Sequence, residues 1–227
     1  MLAVNKRGAI PTLRSAKVCA CLFAGGIAEL YFKKIISKDE NCEFVSNSNF
    51  DENDIHLFPL YEVIKTANKP MSMQELVRSY YESCSGNKPT QLEASIKDML
   101  VSRNAKMEIK AGFLRNKTNL VPKPEKIQAI ISKIHTQLFG AEHLTTDTIC
   151  LVDLLLKSTV ANRHFSNDDV ARLRIRLEEL NASGTYAFET QLIDCAFDTA
   201  SSFLEKMTWG DEEDDDFLAA VIMLTMM

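Results

Sequence analysis

With 227 residues, 46% of them hydrophobic and 25% charged, the chain has an ordinary globular composition and enough length to bury a full core, in one domain or two. Its formal net charge of -5 excludes a global attraction to nucleic acid or anionic membrane, so any such binding has to come from a local patch. The six cysteines, Cys19, Cys21, Cys42, Cys84, Cys150 and Cys195, are scattered, and several fall on apolar helical faces, which fits reduced core thiols better than disulfides.

The opening AVNKRGAIP reads as the end of a strand or helix followed by a turn, with Gly8 and Pro11 as breakers. Residues 18 to 32 form an apolar stretch interrupted by Glu29, shorter than the roughly 20 residues of a spanning helix. A secretory signal is the nearer mimic, because Lys6, Arg7, Arg14 and Lys17 precede an apolar run with small residues near its end. The helical spacing of Cys19, Phe23, Ile27, Leu30 and Tyr31 runs on past any cleavage-like point, which favours a buried helix over residues 23 to 36. Gly25 and Gly26 each cost about 1 kcal/mol of helix propensity. Their expected use is to let another backbone pass close, while Lys33 and Lys34 complement the negative carboxyl end of the helix.

The polar stretch SKDENCEFVSNSNFDENDIH reads as a short hairpin or an irregular loop. PLYEVIKTANKP forms a helix bounded by Pro59 and Pro70. SMQELVRSYYES follows, with Ser72 and Glu75 spaced as a capping box. TQLEASIKDMLVSRN puts Leu92, Ile96, Met99 and Leu100 on one helical face. KMEIKAGFLRNKTNLVP then reads as a β-hairpin turning at residues 116 to 119. After Pro122 and Pro124, a helix carries the stripe Ile127, Ile130, Ile131, Ile134 and Leu138. Residues 148 to 160 are apolar on nearly every side except Asp153 and Lys157, which places that helix at the centre of a helical domain. A second capping box, Ser166 with Asp169, opens the next helix. A long helix over about residues 186 to 207 and a short one, FLAAVIMLTMM, complete the chain. The fold class is therefore mainly α: a single helical domain over residues 1–227, built around a hydrophobic central helix, with one β-hairpin.

Little here points to catalysis. His56, His135, His143 and His164 are isolated and expected to be exposed or hydrogen-bonded, and Cys19 and Cys21 point to different sides of a helix. AGGIAE lacks the preceding strand and the spacing of a phosphate loop. The acidic run Asp211 to Asp216 lacks the alternation and glycine of a calcium loop and reads as solvated. The expectation is a protein that is not an enzyme, with no metal and no cofactor.

Two basic features remain. Around the hairpin, Lys106, Lys110, Arg115, Lys117, Lys123 and Lys126 outnumber Glu108 and Glu125, and Phe113 and Leu114 sit at its edge. That combination suits an anionic membrane surface; equally, the hairpin's apolar residues can pack on the domain or on a second subunit. Arg172, Arg174 and Arg176 cannot share one helix face and read as ordinary surface pairing. Helices followed by a hairpin over residues 60 to 121 also have the order of a winged-helix module. The helix that would enter the groove carries Glu93 and Asp98 beside Lys97, which is poor chemistry for facing phosphates.

LAVNKRGAIPTLRSAKVCACLFAGGIAELYFKKII, LVSRNAKMEIKAGFLRNKTNLVP and LVDLLLKSTVANRHFSNDDVARLRIRLEEL together make the chain similar, over nearly its whole length, to the Golgi phosphoprotein 3 family. The resemblance implies a mainly helical domain, peripheral membrane binding through phosphatidylinositol 4-phosphate, a hairpin used in self-association, and an adaptor role toward client proteins. It also implies that the chain starts inside the family's first conserved segment, a few residues short. The family's pocket tryptophan and arginines align near Arg14, Phe23, Thr90 and Glu93, of which only the first is basic, and Glu93 repels phosphate. The expected membrane contacts are instead Arg14, Lys17, Phe113, Leu114, Arg115 and Lys117, with possible homo-oligomerisation through hairpin 107–121. The expected partner is an anionic lipid, a phosphoinositide by resemblance only, at the cytoplasmic face of a membrane. Nucleic acid is the less favoured partner.

Overall fold

The computed structural model describes residues 16–47, 49–82, 87–102, 106–110, 117–121, 124–140, 143–158 and 160–206. Helix α1, Ala16–Phe32, is apolar all round and buried along most of its length, from Val18 to Leu30. A helix without a polar face belongs inside a protein, and α1 lies along the longest helix, α9 (Ala187–Lys206), while also touching α6 (Thr146–Lys157). The small residues Ala196 and Ala200 stand on the buried face of α9 with Ile193 and Leu204, which lets the two helices pack closely.

Helix α1 ends four residues before the expected boundary. Lys34 takes a left-handed conformation, φ 58, and the Ile35 amide donates back to the Leu30 carbonyl at 2.9 Å. That closure is a Schellman-type stop with lysine in the position glycine usually fills. Ile35 and Ile36 are then free to enter the core, and Ile36 opens strand β1 (Ile36–Lys38), which pairs antiparallel with β2 (Phe44–Ser46). At their turn, the Asp39 carboxylate accepts from the Asn41 and Glu43 amides, both at 2.9 Å. Of the two readings open for this polar stretch, the hairpin is the one that forms. A 3-10 helix, Glu52–Leu57, follows it and feeds into α2, Phe58–Lys65.

Helices α3 (Met73–Glu82) and α4 (Lys88–Ser102) come next, and the expected hairpin forms from β3 (Lys106–Lys110) and β4 (Lys117–Val121). Its register runs from Lys106 opposite Val121 to Lys110 opposite Lys117. Helix α5, Pro124–Phe139, buries Ile127, Ile130, Ile134 and Leu138 as the stripe requires. Helix α6 buries Thr148 to Leu155 and touches α1, α5, α8 and α9 as well as the short α7 (Ala161–His164). Helix α8, Asn167–Ala182, leads back to α9. The fold is mainly α, with α1 and α6 together in the middle.

The glycines of α1 do not admit a neighbouring backbone. A β-carbon on Gly26 would collide with Cδ1 of Leu60 from α2, and one on Gly25 would stand 3.3 Å from Cδ1 of Leu154 from α6. Each glycine is a socket for a leucine tip, so side chains from two flanking helices key into α1 at adjacent positions. Among the described residues, no helix is long and apolar enough to cross a membrane.

Candidate functional site

One small pocket is bounded by three elements. Helix α1 contributes Cys19 and Leu22, one turn apart; α3 contributes Tyr80 and Tyr81; Asn87, Pro89, Thr90 and Glu93 close it at the start of α4. Its volume is about 50 Å³. An aromatic ladder builds the wall: Phe23 meets Tyr80 at 5.3 Å and Tyr81 at 6.0 Å between ring centroids, Tyr80 meets Tyr81 edge-on at 4.8 Å, and Tyr81 stacks on Phe203 of α9 at 5.8 Å. Such tilted and edge-on pairs lie in the favoured range of aromatic geometry.

The polar groups are fixed locally. The Tyr81 hydroxyl donates to the Cys19 carbonyl at 3.1 Å. The Thr90 amide donates to Asn87 Oδ1 at 3.3 Å, and Lys97 pairs with Glu93 one turn along α4. Burial, and secondarily the Glu93 carboxylate, pushes the Cys19 thiol up to about 12. It stays protonated near neutral pH and is no nucleophile. Burial also raises Tyr80 and Tyr81 well above the ordinary phenol range.

Elsewhere, charge is used to lock elements together. At the end of α1, Lys33 bridges Glu29 at 2.7 Å and Asp54 of the 3-10 helix at 2.5 Å. His56, 1% exposed, places Nε2 3.3 Å from Glu29 Oε1. The nitrogen lies close to the carboxylate but has no aligned hydrogen-bond partner. This corrects the expectation for His56, which is neither exposed nor hydrogen-bonded, and for His164, whose buried ring nitrogens also lack partners. Burial, with Arg163 alongside, lowers His164 to about 4. His143 is exposed, and His135 lies against Phe139 and Phe165. On α6, Lys157 binds Asp153 at 3.0 Å and Asp194 of α9 at 2.6 Å.

Arg172 lies 3.7 Å from Asp169 and 4.4 Å above the Phe139 ring, and Arg176 pairs with Glu179 at 2.9 Å, which is the surface pairing expected of that series. Cys19, Cys21 and Cys150 are buried, while Cys42 and Cys195 are exposed. No group of three His, Cys, Asp or Glu side chains able to hold a metal occurs among the described residues. On α4, the exposed positions include Thr90, Gln91, Ala94 and Asp98, and the partly exposed Lys97 is held by Glu93.

Of the residues expected to contact a membrane, Lys17 is exposed on the first turn of α1, and Lys117 opens β4 opposite Lys110. Arg14, Phe113, Leu114 and Arg115, like the acidic run 211–216, lie outside the described residues. Thr90 and Glu93, one turn apart on α4, line the pocket, and Phe23 of α1 backs its tyrosines. The sequence reading did not single out Cys19, Tyr80 or Tyr81 as pocket residues. The adjacent tyrosines on an otherwise amphipathic helix were the available signal, since only one of two neighbours fits a single buried stripe.

No protein-family model matches the chain, and a search of curated proteins finds no significant match. What defines the class is the architecture, a mainly α protein that encloses a small aromatic-walled pocket and carries a two-stranded basic hairpin.

Proposed function

We propose that the protein acts by binding rather than catalysis, as a peripheral membrane-associated lipid-binding protein or adaptor of the Golgi phosphoprotein 3 type, at the cytoplasmic face of a membrane. The observation that carries this reading is the pocket that Thr90 and Glu93 line and Phe23 backs, because the family's pocket residues align near these three positions. The lysine pair Lys110 and Lys117, opposite each other near the hairpin turn, supports the hairpin as the edge that meets anionic lipid. A phosphoinositide is the weaker choice of ligand for the pocket, since Thr90 and Glu93 stand where arginines would be needed to bind phosphate.

Co-sedimentation with liposomes of graded anionic content, with and without phosphatidylinositol 4-phosphate, tests the reading beside a Phe113→Ser/Leu114→Ser variant. The expected result is binding that rises with any anionic lipid and is lost in the variant. Strict dependence on the phosphoinositide would move the binding to the pocket, and no binding at all would leave a self-associating or protein-binding role in front.

A further inference from the structure

We propose that the pocket between α1, α3 and α4 binds a primary ammonium group, as carried by an ethanolamine headgroup or by a free amino alcohol. The lining offers several acceptors beside the Asn87 side-chain amide, which carries both a donor and an acceptor. The Tyr81 hydroxyl has committed its proton to the Cys19 carbonyl, so its oxygen can only accept. Glu93 is a carboxylate acceptor, and its Oε1 holds Lys97, which does not line the cavity. Thr90 adds a hydroxyl, and the Cys19 thiol, raised by burial and by Glu93, remains neutral.

An ammonium group has three protons to donate and none to accept, which matches this set. A phosphate would meet the Glu93 charge without an arginine or lysine among the described lining residues. Size permits it. The volume of about 50 Å³ exceeds the roughly 10 to 15 Å³ that one water needs on the same measure. Trimethylammonium has no N–H to donate to these acceptors, so it is the poorer fit.

The pocket stands on its own lining; the lipid as source of the amine rests on the membrane reading above. The full chain is titrated calorimetrically with ethanolamine, choline and inorganic phosphate, alongside Glu93→Gln and Thr90→Val. We expect saturable ethanolamine binding, choline weaker by about tenfold or more, no phosphate binding, and a loss of about tenfold or more in Glu93→Gln. Thr90 lies on an exposed position at the rim, so Thr90→Val keeps the test valid should Glu93→Gln fail to fold, with an expected loss of about threefold. In parallel, vesicles of phosphatidylethanolamine with phosphatidylglycerol are compared with vesicles of phosphatidylcholine with phosphatidylglycerol at equal charge. A preference for the first that Glu93→Gln abolishes makes the headgroup the ligand. Ethanolamine binding without that preference sustains the pocket as a site for a soluble amine and counts against the lipid source. Phosphate binding, no ethanolamine binding by folded wild-type protein, or affinity unchanged in both variants overturns the proposal, even if hairpin-dependent vesicle binding persists.

Discussion

Leu60 on α2 puts its Cδ1 where a β-carbon of Gly26 would stand, and Leu60 is itself wholly buried. The methyl therefore cannot swing aside into solvent. A Gly26→Leu substitution drives a full side chain into that contact and should lower unfolding free energy by about 1 to 3 kcal/mol through overpacking. Gly25→Ala provides the contrast: its β-carbon would lie 3.3 Å from Leu154 Cδ1, a contact relieved by a shift of a few tenths of an ångström. Helix propensity returns about 1 kcal/mol there, so the variant should melt at or above wild type. Chemical denaturation of both variants checks the pair, and an unchanged midpoint for Gly26→Leu would remove the socket from the argument.

Why that socket was only half legible is instructive. Periodicity marked residues 23 to 36 as buried helix and the glycines as a close contact, because spacing and composition are local properties. Which neighbour fills the space is a property of the tertiary fold. The early stop at Lys34 was hidden for the same reason: Ile35 and Ile36 continue an apolar pattern, yet they are drawn into β1 and the core by pairing with the segment at Ser46. The stripe of α5 and the buried α6 were readable because one face, or every face, of a helix leaves an unambiguous pattern. The pocket was not, since Cys19, Tyr80 and Glu93 come from three helices and no one of them carries a motif.

The capping boxes were readable from the sequence, and their geometry separates them. Ser72 Oγ accepts from the Glu75 amide at 3.3 Å while Glu75 Oε2 accepts from the Ser72 amide at 3.0 Å, a reciprocal box. Ser166 Oγ accepts from the Asp169 amide at 3.1 Å and donates to Asp169 Oδ2 at 2.7 Å, so that box closes through the side chains. Ser72→Ala and Ser166→Ala should each cost about 1 kcal/mol. Replacing Glu75 by alanine should cost stability as well, because the Ser72 amide loses its partner. Equilibrium urea unfolding of the single variants decides it, and a Ser72→Ala midpoint equal to wild type would contradict the assigned cap.

Glu29 ties the end of α1 to the 3-10 helix. Burial alone would raise its pKa, but His56 and Lys33 beside it outweigh burial and hold the carboxyl below its ordinary value of 4.5. A depressed pKa contributes stability above the unfolded value, and that stability is lost as pH falls through the folded one. Glu29→Gln should therefore destabilise the protein at pH 7 by about 1 to 2 kcal/mol, a buried-pair loss reduced because the Lys33 side chain is 41% exposed. The difference from wild type should shrink on acidification below pH 4.5. A constant difference across that range would mean that packing, and not charge, is what Glu29 supplies.

Asp153 works with the opposite sign. It is 4% exposed, its Oδ2 has no hydrogen-bond partner, and burial pushes its pKa from 3.8 to about 6 against the pull of Lys157. With the folded pKa above the unfolded one, the folded state holds a proton that the unfolded chain has released. The associated stability is complete below pH 3.8 and is lost as pH rises through about 6, a span worth up to about 3 kcal/mol. Asp153→Asn keeps the shape and removes the ionisation, and Lys157 retains Asp194 at 2.6 Å. The variant should match wild type near pH 4 and exceed it at pH 7, so that the difference between their urea midpoints opens across pH 4 to 6. A difference that stays flat over that window would show that Lys157 fully compensates the Asp153 charge in the folded state.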